Sequence, residues 1–416
     1  ELAQGLGFAS GVSVAQYTGR QSKSEKESIR ERQPTVLLTT PDMLHYGILP
    51  HAHRLWDWFF SRLETVVVDE VHGYRGIFGS HVSLVMRRLQ RLAERFDSDP
   101  EWVCCSATIG NPIQHAATVT GQPDDSFALV DEDASASGPR HWLLWNPPEY
   151  DGGEGWGSGR RTSSHVETKR LFVDLVERGL QTVVFAGSRQ TAERYAGDSA
   201  DELRSRGHHD LADGVGAYQA ALTNEKRREL ESRLQSGDLR GVWSTSALEL
   251  GVDVGGLDAV LIDGYPGTRM RAFQQAGRAG RGTDPALVAL VGGEDQLDQY
   301  VLRNPETLFE KPAEQAVTNP ENGQLLPDHV LAAAGENWLS ADDDRHFGAT
   351  FPDVVAELES ADKLERRNTD RGVRWTSNGR PHHDMSLRTV DDREVKLVAK
   401  GDVIARLPFE DALRDA

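Results

Sequence analysis

Short apolar runs rich in β-branched residues punctuate the chain up to about residue 318. Val36–Thr39, Val66–Val68 and Trp102–Cys105 form a first set. Thr182–Phe185, Val242–Thr245, Ala259–Ile262 and Leu287–Val291 form a second. Runs of this length and composition predict strands buried on both faces. The intervening segments switch to a helical period. From Val82 onward the residues Val82, Val85, Met86, Leu89, Leu92 and Ala93 recur on one helical stripe, while Arg87, Arg88 and Arg91 fall off it. Strands alternating with helices predict an α/β fold built on parallel sheets.

Two stretches break this rhythm. Residues 131–164 carry "DEDASASGPR" and "NPPEYDGGEGWGSGRRTSS", rich in Gly, Ser, Pro and acid, which reads as a connector between two sheet domains. After Thr318, "LLPDHVLAAAGENWL" and "FPDVVAELESADKLERR" predict two helices and "GVRWTS" a short strand, an order that resembles a winged-helix module. From His383 the alternation of "MSLRTVDDREVKLVAKGDVIARL" predicts strands. The expected organisation is a first sheet domain over 1–135, a connector over 136–164, a second sheet domain over 165–318, a winged-helix-like module over 319–382 and the start of a β domain over 383–416.

Composition narrows the classes. The chain has 416 residues, enough for two or three domains, with 38% hydrophobic and 27% charged residues, as in globular proteins. No apolar run is long enough to span a bilayer, so no membrane partner is expected and the expected location is cytoplasmic. The two cysteines, Cys104 and Cys105, are adjacent and read as small hydrophobes of a core strand. The formal net charge is −19. That excludes a broad basic sheath for nucleic acid without excluding a local basic groove.

Candidate chemistry clusters where strands end. "VVVDEVHGYR" closes an apolar strand with Asp69 and Glu70, followed by His72. At the carboxyl end of a parallel strand such side chains face the crevice where α/β proteins bind ligands. One carboxylate can hold Mg²⁺, usually through water, while its neighbour orients and deprotonates an attacking water. Read alone, paired acids after a strand are mostly an exposed turn. "QQAGRAGR" places Gln274, Arg278 and Arg281 at i, i+4 and i+7, one stripe if the segment is helical, with guanidinium groups suited to a transferring phosphoryl group or simply to solvent. In "STSALELGVDVGG", Thr245 ends a strand, Gly251 lets backbone approach a ligand, and Asp253 can accept from a ribose hydroxyl. Ser106 and Thr108 of "CSATIGNP" are hydroxyls at a sheet edge or helix caps. Thr40, Pro41 and Asp42 of "TTPDML", and Ser188 and Arg189 of "FAGSRQTAE", sit at helix starts, whose N–H groups can meet a phosphate backbone.

In order and rough spacing, TTPDML, DEVH, SAT, FAGSR, STSALELGVD and QQAGRAGR resemble the motifs of superfamily 2 DExH-box helicases. "DEVHGYRGIFGSHVSLVMRRLQRL", "SATIGNP", "ALELGVDVGGLDAVLIDGYPGT" and "QQAGRAGRG" are similar to the MrfA/YprA-type DNA-repair helicases, which carry a RecQ-like accessory region. The resemblance implies two RecA-like domains and an ATP- and Mg²⁺-dependent motor moving 3′-to-5′ on DNA. It implies Asp69 and Glu70 for the metal and water, and His72 with Gln274 for coupling hydrolysis to domain closure. Arg278 and Arg281 would be arginine fingers; Gly251, Asp253, Ser106 and Thr108 would serve the nucleotide. Thr40, Pro41, Asp42, Ser188, Arg189 and Thr245 would track the nucleic-acid backbone.

One motif is absent. No lysine in the chain follows a glycine, so there is no G-x-x-x-x-G-K-[ST] loop. "ELAQGLGF" at the start resembles the tail of the next helicase motif, so the first domain is expected to lack its first strand and phosphate loop. The alternatives are an RNA helicase of the same superfamily, since backbone contacts dominate both, or a non-catalytic nucleic-acid-binding module.

Overall fold

The computed structural model describes residues 11–132, 138–149, 161–219, 222–249, 256–280, 283–388, 394–399 and 402–408. In chain order the elements begin with β1 (Val14–Tyr17), α1 (Lys23–Arg32), β2 (Val36–Thr39), β3 (Thr65–Val68), α2 (Gly76–Arg95), β4 (Glu101–Cys104) and α3 (Pro112–Thr120). There follow β5 (Arg140–Trp145), α4 (Ser164–Glu177), β6 (Thr182–Phe185), α5 (Arg189–Ser205), β7 (Val215–Tyr218), α6 (Asn224–Ser236), β8 (Gly241–Ser244) and β9 (Ala259–Asp263). The last stretch comprises α7 (Arg269–Ala276), β10 (Ala286–Val291), α8 (Gln296–Arg303), α9 (Leu326–Glu336), α10 (Phe351–Ser360), β11 (Leu364–Thr369), β12 (Gly372–Ser377), β13 (Glu394–Ala399) and β14 (Asp402–Pro408). Among the described residues no helix is long and apolar enough to cross a membrane.

Two compact units emerge. The first comprises Glu1–Ser106, Asn111–Leu129 and Gln315–Ala416; the second comprises Ala107–Gly110 and Val130–Glu314. The second unit is a six-stranded, all-parallel sheet in the order β5-β10-β9-β6-β8-β7. All residues of β6, β8 and β9 are buried. Alternate residues supply two cores: Val183, Val260 and Ile262 one, Val184, Trp243 and Leu261 the other. Residues 140–145, read from the sequence as connector, form edge strand β5, paired with β10 from Arg140↔Ala286 to Trp145↔Val291. Its "RHWLLW" is apolar enough to pair; the Gly- and Ser-rich flanks masked it.

The first unit departs from expectation. Its strands form two separate parallel pairs, β1–β2 and β3–β4. They are covered on one face, not two. Ala15, Leu37, Val66 and Trp102 pack on the core, while Val14, Leu38, Val67 and Val103 are exposed, Val67 by 61%. Cys104 is partly buried, and Cys105 lies exposed just beyond β4 rather than in the core. Helix α2 also differs: Arg88 and Arg91, expected off the buried stripe, are fully enclosed.

What encloses them is the C-terminal module. Leu84 of α2 packs with Leu326, Val330, Phe347, Phe351 and Leu358 in one core. Helix α10 ends at Ser360, not within "KLERR" as expected. Asp362 turns the chain through φ +57° and Leu364, buried, opens β11. Antiparallel β11–β12 forms a wing, and Leu339 bridges to Trp375 of β12. Helices α9 and α10, this bridge and the hairpin make the winged-helix arrangement. β13 and β14 pair as an antiparallel hairpin.

Candidate active site

In the first unit the paired acids stand at the carboxyl end of β3, as the strand pattern implies. Asp69 is exposed, and its Oδ1 accepts the Glu70 amide at 2.9 Å. Glu70 takes a left-handed backbone, φ +52°. For a non-glycine residue this costs on the order of 1–3 kcal/mol and needs surrounding structure to hold it. That structure is present. The Val71 amide donates to the Cys105 carbonyl at 2.9 Å, and the Gly73 amide donates to the Glu70 carbonyl at 2.8 Å. His115 Nε2 lies 2.9 Å from the Val71 carbonyl oxygen.

His72 is buried beneath this turn, with Nε2 3.3 Å from Glu70 Oε2. Burial lowers its proton affinity, Arg75 and His115 lower it further, and Asp69 only partly opposes them. Its imidazole is therefore neutral near pH 7, so the contact with Glu70 is not a full ion pair. Tyr74 is pushed up by burial and by Asp69 and Asp42. The acids thus surround a phenol that stays protonated.

The other first-unit candidates have modest geometry. Thr40 caps the turn Pro41–Met43, accepting the Met43 amide at 3.3 Å, with Pro41 at its first position. Asp42 is ion-paired to Arg388 at 2.9 Å. Its carboxylate would repel a phosphate, so a backbone contact here falls to the amides. Ser106 is exposed in the loop after β4. It caps no helix; Asn111 precedes α3 and clasps the Ala316 backbone, donating at 3.0 Å and accepting at 2.9 Å.

In the second unit Thr108 is exposed. Ser188 caps α5 by accepting the Thr191 amide at 3.1 Å, which leaves Arg189 exposed on the first turn. Thr245 precedes the short turn Ser246–Leu248 and is half-buried. Gly251, Asp253 and Arg281 lie outside the described residues.

The arginine stripe needs correcting. Helix α7 ends at Ala276, and Gly277 and Gly280 carry the chain into a turn. The Leu257 amide donates to the Arg278 carbonyl at 3.1 Å, and the Gly280 amide to the Leu257 carbonyl at 2.8 Å. Gln274 and Arg278 therefore do not share one continuous helical face. The residues that do converge are Arg271, Gln275 and Arg278, and they converge on Glu249. Buried to 5% exposure, its carboxylate faces Arg271 Nη2 at 3.3 Å and accepts from Gln275 Nε2, while its carbonyl accepts from Arg278 Nη2. Sequence reasoning passed over Glu249. The 271–275–278 spacing, with one acid in the preceding motif, was the available signal.

Two further carboxylates anchor this edge. Glu314 accepts the amides of Arg269 and Met270, adding to the Thr268 cap at the start of α7. Asp263, ending β9 and buried, pairs with His165 of α4, and this bond raises the His165 pKa.

Comparison with known proteins identifies the family. Residues 2–116 match the DEAD/DEAH box helicase family, and residues 167–283 match the helicase conserved C-terminal domain. The uncharacterized ATP-dependent helicase YprA of Bacillus subtilis is 37% identical over 387 residues, covering 93% of this chain and 50% of YprA. ATP-dependent helicase hrq1 of Schizosaccharomyces pombe is 36% identical, covering 85% of this chain and 33% of that protein. Among solved structures, the DUF1998 helicase MrfA bound to DNA and AMPPNP superposes with a TM-score of 0.83 at 36% identity, covering 95% of this chain and 53% of MrfA. The chain spans about half the length of YprA and MrfA. It belongs to the superfamily 2 DExH-box helicases, in their MrfA/YprA-type branch.

Proposed function

We propose that this chain forms part of an ATP-dependent DNA helicase that translocates 3′-to-5′ in DNA repair. The observation that carries the reading is the β3 edge: an exposed Asp69, and a Glu70 held in a strained backbone over a buried, neutral His72. Strain of this kind at a sheet's ligand edge is a feature of working sites.

The donor set fits Mg²⁺. Among the described residues no group of three or more His, Cys, Asp or Glu could hold a metal ion. A nucleotide-bound Mg²⁺ asks for less, one or two carboxylates with phosphates and water. Asp69 would hold it, with Glu70 adjacent, and the ion would neutralise charge on the phosphates of ATP. Glu70, fixed by the locked turn, orients and deprotonates the attacking water. His72 holds the Glu70 carboxylate in place. Arg278, anchored through Glu249, offers a positive group to the phosphoryl oxygens, and Arg281 is proposed for the same role. Gln274 and His72 are proposed for coupling hydrolysis to motion, and Gly251, Asp253, Ser106 and Thr108 for binding the nucleotide. Amides at Thr40, Asp42 and Ser188, with Arg189 and Thr245, meet the DNA backbone, while Pro41, which has no N–H, starts the turn that presents them; such contacts predict weak sequence preference.

The test is made in the complete open reading frame. Glu70→Gln should abolish ATP hydrolysis while nucleotide binding persists, and Arg278→Ala should lower turnover by about 10³-fold or more. Retained turnover in Glu70→Gln would overturn the assignment. Matched DNA and RNA duplexes in the unwinding assay decide the substrate; faster opening of RNA would transfer the reading to an RNA helicase.

A further inference from the structure

The chain carries a formal charge of −19, yet one face of the first unit gathers unpaired arginines. A cleft of about 780 Å³ lies between the end of α9 and the wing, with Trp338, Arg371 and Arg374 on its walls. Past His53 and Gly335 it runs into a second cleft of about 620 Å³, lined by Arg54, Arg380 and Tyr46. Among the described residues, Arg54, Arg371, Arg374 and Arg380 pair with no acidic side chain. Two carboxylates border the clefts. Glu336 is buried and held by Arg88, which leaves Asp370 alone facing solvent there. Trp338 is 45% exposed, and the Arg367 guanidinium lies 5.7 Å from its ring centre. Arg367 itself is paired with Glu365 at 3.1 Å; it is the unpaired Arg371 and Arg374, lining one cleft with the exposed indole, that match the chemistry of a single strand: phosphates for the cations, a base for the ring.

The opposite choice, the outer face of α10, is closed to a polyanion. Its exposed positions include Asp353 and Glu357, with Glu359 half-exposed, and no basic residue. We propose that the continuous groove from Arg371 and Arg374 past Trp338 to Arg54 and Arg380 binds the backbone of a single nucleic-acid strand, with Trp338 stacking on a base. The inference rests on the proposed function for the identity of its polyanion. It adds a second strand-binding surface, distinct from the motif residues at the sheet edges.

Fluorescence anisotropy of a labelled oligo(dT) strand, titrated with this chain across a salt series, tests it. Arg371→Ala/Arg374→Ala should weaken binding at least tenfold. It should also flatten the log–log salt dependence by about 1.4, two phosphate contacts at about 0.7 each. Trp338→Ala should cost about 5- to 100-fold with the salt slope unchanged. The arginines are surface residues, and Arg54→Ala/Arg380→Ala provides an independent pair should the first disturb the wing. Affinity and slope equal to the unaltered chain in both pairs would overturn the groove while leaving the helicase reading intact. Failure of the unaltered chain to bind oligo(dT) would remove both. Tighter, arginine-dependent binding of polyglutamate than of oligo(dT) would assign the groove to an acidic protein and overturn the inference.

Discussion

The two units solve the problem of burial by different means. The second packs apolar side chains on both faces of its strands, Val183, Val260 and Ile262 on one and Val184, Trp243 and Leu261 on the other. It carries the buried carboxylates Asp263 and Glu249 at a strand end and in a loop rather than between its layers. The first unit covers its strands on one face and then places charge inside. Arg88 of α2, fully buried, pairs with Glu336 of α9, and its Nη1 lies 2.9 Å from His45 Nδ1 and 3.2 Å from His329 Nδ1. His382 Nε2 stands 3.0 Å from Glu336 Oε1. One turn on, Arg91 pairs with Asp343 at 3.1 Å and donates to the carbonyls of Ala333, Asn337 and Trp338. Buried charges contribute little net stability when satisfied, but each is costly to strand. A core built this way fixes one docking geometry for the winged-helix module on α2 and tolerates few errors.

The sharpest way to break the comparison is to orphan Arg88. Glu336→Leu leaves a buried guanidinium with only neutral imidazoles nearby. It should destabilise the first unit by about 3–5 kcal/mol. Hydrogen exchange read separately for peptides of α2 and of β9 measures it: protection should collapse in α2 and hold in β9. The double change Arg88→Met/Glu336→Leu should recover much of the loss. A loss in Glu336→Leu of under about 1 kcal/mol, far below the range for a stranded charge, would mean that the first unit does not depend on its buried charges.

Acid separates the units by sign. Burial lowers His45 to about 3, aided by Arg88 and His382 and opposed by Glu336. Burial lowers His81, which faces His329 at 2.9 Å, to about 4. Both are depressed from near 6.5 in the unfolded chain. Above pH 6.5 neither state takes a proton, so stability is level. Below it the unfolded chain binds protons that the fold refuses, and stability falls, by about 2 kcal/mol per histidine at pH 5. Glu336 adds to the loss later. Burial alone would raise it, but Arg88 and His382 hold it at about 2, so its contribution fades only below about 4.5. In the second unit His165 is raised by its bond to Asp263. Its stabilisation is complete below pH 6.5 and is lost as pH rises through the folded value. Lowering pH from 7 to 5 should therefore speed exchange in α2 and α9 while sparing α4 and β9. Equal acceleration in both would sink the contrast.

Much of the architecture was readable because it is local. The alternation of apolar runs and helical stripes located every strand from β6 to β10 except β7, whose "VGAY" is short and glycine-interrupted. The acids ending β3 were equally visible, since a strand and its edge are neighbours in sequence. What stayed hidden depends on distant partners. Arg88 meets a carboxylate 248 residues away, and no helical stripe reports that. The register of the arginines failed for a local reason that competed with periodicity: Gly277 and Gly280 stop α7, so i, i+4, i+7 no longer describes one face. Strand β5 was lost to its flanks, because an edge strand of six residues inside a Gly- and acid-rich stretch has too few positions to outweigh them.

The smallest effect tests the other half of the contrast. Ile262→Val removes one methyl group from the centre of the second sheet, where β9 lies between β10 and β6. It packs in an apolar core, so transfer and cavity terms dominate, about 0.5–1.5 kcal/mol. The loss should also be independent of pH between 7 and 5, since the titrating groups in the cluster are phenols: Tyr218, whose hydroxyl bonds Glu231, and Tyr265, pushed up to about 12 by burial. A urea midpoint for the second unit that shifts by this amount at both pH values supports a sheet stabilised by area alone. A shift that doubles at pH 5 would mean that the apolar core is coupled to the His165–Asp263 pair beside it, and the two units would then differ in degree rather than in kind.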